Sequence, residues 1–169
     1  MKVSHILIMA CTTMLLAGCK QDNWMDWKLQ NELWLEQNAK QEGIQTTASG
    51  LQYKVIYPGN TSDTRPNTGG TVVITYKGSL INGKQFDSAT DASFICASSA
   101  STETLSLTGG IIAGMAEGLR KMHKHADFIL YIPWELGYGE KGTGTEGYQS
   151  HIPPYSTLIF EIHLTDVIN

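Results

Sequence analysis

Residue types used in nucleophilic catalysis occur at Asp87, Ser88 and His151, but their context does not support a hydrolase. A hydrolytic serine often stands in a Gly-x-Ser-x-Gly turn, and Ser88 lacks those glycines. His123 and His125 have the wrong spacing for one face of a helix, and no neighbouring carboxylate or thiol completes a metal site. The histidine pair is therefore interpreted as part of a solvated turn, and we expect neither covalent catalysis nor a bound metal.

A glycine-rich run at 142–147 fits the G-x-G-x-x-G pattern of dinucleotide sites. Such a site needs the run between a strand and a helix, so that the helix N-terminus faces the pyrophosphate. Here Ile152-Pro153-Pro154 follows instead, and consecutive prolines do not continue a helix. We therefore expect no dinucleotide and no other cofactor.

Composition narrows the remaining functions. The chain has 169 residues, of which 41% are hydrophobic, enough for one globular domain with a substantial core. Twelve Lys and Arg stand against 16 Asp and Glu, a net charge of −4, so we expect no nucleic-acid partner. Aromatic and large aliphatic side chains are concentrated beside turn residues, together with an acidic group. This combination indicates an apolar binding pocket.

Residues 1–18 are interpreted as a lipoprotein signal peptide. Their apolar run is about ten residues long, shorter than the ~20 residues of a membrane-spanning helix. The run ends at Leu16-Ala17-Gly18-Cys19, which resembles the bacterial lipobox. The resemblance implies that Cys19 becomes the lipidated first residue of the mature protein. An ordinary secretory signal with an incidental cysteine is the alternative.

The expected location is the cell envelope, with the membrane contacted only through the lipid anchor. Lys20 follows the cysteine, whereas an Asp at that position resembles the usual signal for retention in the inner membrane. The sequence therefore favours the outer membrane and leaves open whether the domain faces the periplasm or the cell surface.

Residues 19–47 are expected to form a polar tether followed by a helix. The helix is predicted from Trp24 to Gln41, which contain no glycine or proline, and Gly43 ends it. Four apolar side chains fall within about a third of its circumference. They are Trp24, Trp27, Trp34 and Leu35. This face is expected to pack on the following domain in a monomer, with a weak dimer or client binding as alternatives.

The third segment, residues 48–169, is expected to form one domain of strands and a single short helix. Alternating apolar residues predict strands at 51–57, 71–80, 128–132 and 158–164, with a further short strand around Leu105 and Leu107. Asn82-Gly83 predicts a hairpin turn, and helical spacing predicts a helix over 111–122. The predicted class is α+β, a twisted antiparallel β-sheet wrapped around that helix.

Five ordered blocks within this domain carry a family signature. They are Tyr76-Lys77-Gly78-Ser79-Leu80 with Gly83-Lys84-Gln85-Phe86-Asp87-Ser88, Ile111-Ile112-x-Gly114-x-x-Glu117-Gly118-Leu119, Ile132-Pro133-x-Glu135-Leu136-Gly137-Tyr138-Gly139, Ile152-Pro153-Pro154, and Leu158-Ile159-Phe160-Glu161-Ile162. Together they resemble the FKBP-type peptidyl-prolyl cis-trans isomerases, and the match extends from Ala48 to Val167. The resemblance implies an isomerase that assists the folding of envelope proteins, with proline-containing polypeptides as clients and macrolides as ligands.

The resemblance also implies residue roles. The catalytic residues are Tyr76, Asp87 and Tyr138. Asp87, oriented by Tyr76, meets the rotating carbonyl of the substrate, while Tyr138 and the backbone N–H of Ile152 bind substrate carbonyls. The residues that hold the prolyl ring or line its cleft are Phe86, Ile111, Ile112, Met115, Ile152 and Phe160.

Two features depart from the family pattern. Met115 stands where the family usually has the tryptophan of the pocket floor. The connections 87–105 and 139–151 are longer than usual. A methionine offers no flat aromatic face to a prolyl ring, so a weakly active or inactive binding module with the same fold is the alternative function.

Overall fold

A computed structural model describes residues 24–63, 65–67, 70–98, 105–108 and 111–168. Two helices and seven strands form its regular structure. They are α1 (Trp24–Asn38), β1 (Ile44–Thr46), β2 (Gln52–Tyr57), β3 (Thr71–Leu80), β4 (Gln85–Ser98), β5 (Leu105–Thr108), α2 (Ala113–Leu119), β6 (Asp127–Ile132) and β7 (Leu158–Ile168). Short 3₁₀ turns at Trp134–Leu136 and Gly139–Lys141 lie between β6 and β7. The predicted α+β class is confirmed.

The strands form one sheet in the order β1-β2-β6-β7-β3-β4-β5, with every neighbouring pair antiparallel. The alternation along β7 places Leu158, Phe160, Ile162 and Leu164 in the core. Because β7 lies between β6 and β3, its residues meet both neighbours. Phe160, for example, pairs with Leu130 on one side and Gly78 on the other.

Helix α2 lies against the inner face of the sheet, where Met115, Ala116 and Leu119 are buried. Gly114 and Gly118 face the strand β6, and a methyl group at either position would overlap the side chains of Ile132 or Leu130. The two glycines therefore allow the helix to approach the strand closely. This contact sets the distance between the start of α2 and the sheet.

The turn between β3 and β4 has the geometry that its sequence predicts. Gly83 has a positive φ of +83°, and its N–H donates to the carbonyl of Leu80 at 2.9 Å. The Asn82 side chain accepts from the Lys84 N–H at 3.0 Å. The hairpin sets the register in which Gly78 pairs with Asp87.

The tryptophan face of α1 packs on the following domain. Trp27 lies against the core and donates its Nε1–H to the Ser156 hydroxyl oxygen at 3.0 Å. Trp34 contacts the ring of Tyr131, with centroids 5.7 Å apart. The packing expected from the sequence is confirmed for these two tryptophans.

Several element boundaries differ from the sequence predictions: β7 continues to Ile168 instead of ending at 164, and β1 (Ile44–Thr46) was not predicted. Helix α2 covers Ala113–Leu119 rather than 111–122, because Ile112 has an extended backbone and the chain turns after Leu119 through a bond from Lys121 N–H to Gly118 O. The segment from Asp87 to Ser98 was expected to be part of a loop. This expectation was wrong, because β4 continues to Ser98 along β3 and β5. Helix α1 ends at Asn38, three residues before the predicted end.

The predicted division at residues 18 and 47 stays a prediction. The signal segment 1–18 and Cys19 lie outside the described residues. Among the residues that are described, no helix is long and apolar enough to cross a membrane.

Candidate functional site

A cavity of about 160 Å³ lies between the hairpin of β3 and β4, the start of α2 and the turn after β6. Its walls contain most of the residues that the sequence predicts for the site. They are Tyr76, Asp87, Phe94, Ile111, Ile112, Met115, Tyr138 and Phe160. Residues far apart in the chain thus meet at one opening.

Aromatic rings and a thioether form the apolar part of this cavity. Met115 and Phe160 are 4% and 3% exposed, so both belong to the core as well as to the cavity wall. Phe86 stands behind Phe160 in an edge-to-face contact, with centroids 5.5 Å apart at 82°. The rings approach over Gly78, which has no side chain to obstruct them. Phe86 therefore supports the cavity wall rather than lining it.

The polar part of the cavity is the pair formed by Tyr76 and Asp87. The Tyr76 hydroxyl donates to Asp87 Oδ2 at 2.8 Å, and the Ser88 N–H donates to Asp87 Oδ1 at 2.8 Å. These bonds hold a solvent-exposed carboxylate in one orientation at the rim. The structure thus places Tyr76 and Asp87 in direct contact, and their catalytic roles stay a prediction.

Both site tyrosines are held in their neutral form. Partial burial raises the pKa of Tyr76 to about 12, together with its hydrogen bond to Asp87 and the charge of that carboxylate. Burial, and then the charge of Asp87, also raises the pKa of Tyr138. At neutral pH, Tyr138 is therefore available as a hydrogen-bond donor beside a carboxylate.

We expect Tyr76 to resist ionisation in alkaline solution. Because its pKa rises from 10.0 to about 12 on folding, the stabilisation is fully present below pH 10 and is lost as the pH rises through 12. The phenolate absorbance, measured against Tyr76→Phe, gives the midpoint. In Asp87→Asn the midpoint should fall; an unchanged midpoint would show that Asp87 does not contribute to the shift.

The structure corrects the role of the Ile152 backbone. Its N–H donates to the carbonyl of Thr143 at 2.9 Å in a short bridge between the two segments, so it is not free for a substrate carbonyl. The side chain of Ile152 is 2% exposed and belongs to the core beneath the site. The expectation of a substrate-binding Ile152 N–H was wrong because local sequence does not show which backbone groups pair across a long loop.

Ile112 offers the donor that Ile152 does not. It is the residue before α2, with φ −69° and ψ 154°, and its carbonyl accepts from the N–H groups of Met115 and Ala116. Its own N–H has no acceptor among the described residues, as expected just before the first turn of a helix. Because Ile112 lines the cavity, a substrate carbonyl is a suitable acceptor for this N–H.

Phe94 is a cavity residue that the sequence analysis missed. It lies on β4 opposite Val72 and is half-buried against the core. In Ala92-Ser93-Phe94-Ile95, Ala92 and Phe94 alternate with Ser93, and this alternation could have predicted a strand. Because β4 extends beyond Asp87, it brings this aromatic ring to the cavity.

A larger hollow of about 500 Å³ lies on the other side of Tyr76, over the outer face of the sheet. Its ionisable side chains already have partners, Lys77 with Glu161 at 3.3 Å and His163 Nδ1 with Asp127 Oδ1 at 2.8 Å. The smaller cavity is the better candidate because it joins apolar rings to a fixed carboxylate.

Metal ligands are not grouped in the described part of the chain, which contains no set of three or more His, Cys, Asp or Glu side chains placed to hold an ion. His125 is exposed and has a positive φ of 66°. His123 contacts Arg65 and the carbonyl of Asp63. The interpretation of the histidine pair as part of a turn is confirmed for His125.

Comparison with known proteins gives two family matches. Residues 62–165 match the FKBP-type peptidyl-prolyl cis-trans isomerase model, and residues 16–55 match the domain amino-terminal to FKBP-type peptidyl-prolyl isomerase. The crystal structure of FkpA from Escherichia coli is 34% identical, with a TM-score of 0.71 over 87% of this chain and 62% of that one. A peptidyl-prolyl cis-trans isomerase from Pseudomonas syringae is 25% identical, with a TM-score of 0.69 over 86% of this chain and 96% of that one.

Curated relatives extend beyond this chain. FkpA of E. coli strain K12 is 37% identical over 84% of this chain and 47% of its own length. The FKBP-type 22 kDa peptidyl-prolyl cis-trans isomerase of the same strain is 39% identical over 80% of this chain and 58% of its own length. Outer membrane protein MIP of Legionella longbeachae is 33% identical over 83% of this chain and 54% of its own length. The chain thus spans about half the length of the curated relatives that it matches. With a family model covering more than half of its residues, the chain belongs to the FKBP-type peptidyl-prolyl cis-trans isomerase family.

Proposed function

We propose that this protein is a peptidyl-prolyl cis-trans isomerase that accelerates rotation about Xaa-Pro bonds in polypeptides of the cell envelope. The observation that carries the proposal is the fixed pair of Tyr76 and Asp87 at the rim of an apolar cavity. The family match over residues 62–165 supports it.

The chemical task is to lower a rotational barrier of about 18–20 kcal/mol that arises from the partial double bond of the amide. Cis and trans Xaa-Pro forms differ by only about 0.5–1 kcal/mol, so the catalyst must bind the twisted amide better than either planar form. An apolar cavity helps because water solvates the charge-separated planar amide best. The reaction needs no nucleophile.

The cavity residues divide this task. Met115 and Phe160 contact the prolyl ring, with Phe86 supporting Phe160 from behind. The Ile112 N–H and the Tyr138 hydroxyl donate to substrate carbonyls outside the rotating bond. Asp87, held by Tyr76, acts electrostatically on the carbonyl that turns out of the amide plane.

A binding module that holds unfolded clients is the second candidate function. Met115 favours it, because the cavity floor lacks a flat aromatic face for the prolyl ring. An isomerase assay on Xaa-Pro peptides, run beside a refolding assay on a proline-free client, separates the two functions. We expect peptide isomerisation; folded protein that is inactive on peptides with several different preceding residues, yet suppresses client aggregation, would support the binding module instead.

Met115→Trp should tighten the binding of prolyl peptides and macrolides about fivefold. An indole face adds roughly 1 kcal/mol of ring contact, and the adjacent cavity gives it room. Titration calorimetry measures the change. Met115→Leu, which conserves volume, is the control and should change binding less than twofold. Unchanged binding in a folded Met115→Trp protein would show that position 115 serves core packing alone.

The envelope location proposed for the protein rests on the N-terminal sequence through Cys19. A relative is named as an outer membrane protein, which supports an envelope role for this chain. Lipid on Cys19 would place the folding domain at a membrane surface, outer rather than inner because Lys20 follows. The proposed assembly is a monomer or a weak dimer through the N-terminal helix.

Cys19→Ala should block lipidation. The thiol is the atom that would carry the lipid, so the variant should accumulate as uncleaved precursor or disappear from the membrane fraction. Mass spectrometry of the wild-type N-terminus, together with fractionation of both proteins, measures this. An unmodified mature N-terminus, or wild-type protein found wholly in the soluble fraction, would refute the anchor.

A further inference from the structure

Helix α1 is attached to the isomerase domain by polar contacts more than by an apolar face. Three large apolar side chains remain open to solvent, Met25 at 57%, Leu29 at 55% and Leu33 at 45% exposed. The fully buried residue of the helix is Asn31, at 0%. Burying an amide is unfavourable unless its hydrogen bonds are replaced, so the partners of Asn31 define where the helix binds.

The partner of Asn31 outside the helix lies in the segment just before β7. Asn31 Oδ1 accepts the buried Thr157 N–H at 2.7 Å, and its Nδ2 donates to the carbonyl of Trp27 at 2.7 Å. One turn away, Trp27 Nε1–H donates to Ser156 Oγ, whose hydroxyl donates to the carbonyl of Pro153 at 2.7 Å. Two of these bonds, Thr157 N–H to Asn31 and Trp27 Nε1–H to Ser156, join the helix to the segment before β7, and the other two orient Asn31 and Ser156 for them.

Lys28 extends the attachment to a second segment. Its Nζ lies 5.1 Å from the ring centroid of Trp134 and 5.0 Å from that of Tyr155. The two rings meet edge to face with centroids 5.2 Å apart. The cation therefore links α1 to the 3₁₀ turn after β6 and to the segment before β7.

Both segments support the loop that carries Tyr138. Trp134 begins the 3₁₀ turn that ends just before this loop, and the Tyr155 N–H donates to the carbonyl of Gly139 at 3.1 Å. Tyr138 itself is 37% exposed. Its position thus depends on neighbours that α1 contacts.

We propose that Trp27, Lys28 and Asn31 are positioning residues that hold Tyr138 over the cavity. The proposal rests on the proposed isomerase function for its catalytic consequence. Misplacing a substrate-binding group by about 1 Å lowers a rate up to a hundredfold, so a helix outside the cavity affects turnover through this loop.

The test compares Asn31→Leu and Trp27→Phe with Gln30→Ala, an exposed control on the same helix. Asn31→Leu should lower kcat/KM for an Xaa-Pro peptide about tenfold and Trp27→Phe about threefold, with Gln30→Ala within twofold. Urea unfolding identifies conditions in which each variant is fully folded. Trp27→Phe keeps a smaller aromatic ring and loses the Nε1–H donor, so it serves if Asn31→Leu fails to fold.

The decisive readout is a double-mutant cycle with Tyr138→Phe. If α1 acts through Tyr138, Asn31→Leu or Trp27→Phe should lower kcat/KM less than twofold in the Tyr138→Phe background. Equal losses in both backgrounds would indicate general loosening and overturn the proposal. Full activity of the folded Trp27→Phe and Asn31→Leu proteins would also overturn the proposal.

Hydrogen exchange of the full chain separates this proposal from the proposed function. Trp27→Phe and Asn31→Leu should speed exchange in 134–139 and 152–157, where the contacts lie, while β3 and β4 keep their protection. Unchanged exchange in those two segments would overturn the positioning role. A wild-type protein inactive on every peptide would refute the isomerase function, whereas faster exchange in the variants would still support the attachment of Tyr138 to α1.

Discussion

Asp87→Leu is expected to lower kcat/KM for an Xaa-Pro peptide about thirtyfold with the fold intact. The loss corresponds to about 2 kcal/mol, the range for a hydrogen bond or electrostatic contact to a charged group. The carboxylate is exposed at the cavity rim, and the two donors that lose it, the Tyr76 hydroxyl and the Ser88 N–H, take part in exposed hydrogen bonds and can bond to water instead. A protease-free isomerisation assay measures the rate, and urea unfolding measures stability.

Asp91→Asn is the matched control for Asp87→Leu. Asp91 is an exposed carboxylate on the same strand, outside the cavity walls. It should keep kcat/KM within twofold. Turnover that is unchanged in Asp87→Leu would show that the carboxylate role does not apply to this chain. A fall in kcat/KM of the same size in both variants would indicate that net charge, rather than the position of the Asp87 carboxylate, affects turnover.

Gly78→Ala is expected to impair both stability and turnover. The added methyl group would lie 2.7 Å from Phe86 Cζ and 2.9 Å from Phe160 Cε1, closer than ordinary contact, so both rings must move. Overpacking of this kind costs about 1–3 kcal/mol. Because Phe160 lines the cavity, we expect kcat/KM to fall at least about tenfold in the folded protein, since small misplacements in a site are costly.

Ser79→Ala, one residue along β3, is the control for Gly78→Ala. Successive strand residues point to opposite faces, so position 79 lies on the outer face. The control should change stability by less than about 0.5 kcal/mol. A Gly78→Ala protein with wild-type stability and turnover would show that the two rings have room to shift without affecting the cavity.

The strands were predictable because their alternation reflects burial on one face. The segment 71–80 was predicted with its observed bounds, and Phe128, Leu130 and Ile132 alternate as the structure shows. The hairpin at Asn82-Gly83 followed from backbone preference alone. These features depend on local sequence, which is what periodicity measures.

The missed features depend on pairing between distant segments. Phe94 reaches the cavity only because β4 continues beyond Asp87 along β3, and no local pattern gives that length. The Ile152 N–H is engaged by Thr143, nine residues earlier across a glycine-rich loop. Seven of the nine predicted site residues line the cavity, and Phe86 and Ile152 lie behind its wall. These seven were predictable because the family resemblance carries information on contacts between distant segments.

The placement of β7 has a consequence for how the chain is made. This strand is the last of the described strands in chain order, yet it lies between β6 and β3. During synthesis, β3 and β6 therefore exist before their shared partner, and each keeps an unpaired edge until residues 158–168 emerge. The sheet therefore stays open between β6 and β3 until residues 158–168 are available, and the pairing of β7 with both neighbours closes it. Until then, the unpaired edges of β3 and β6 expose this domain itself to aggregation.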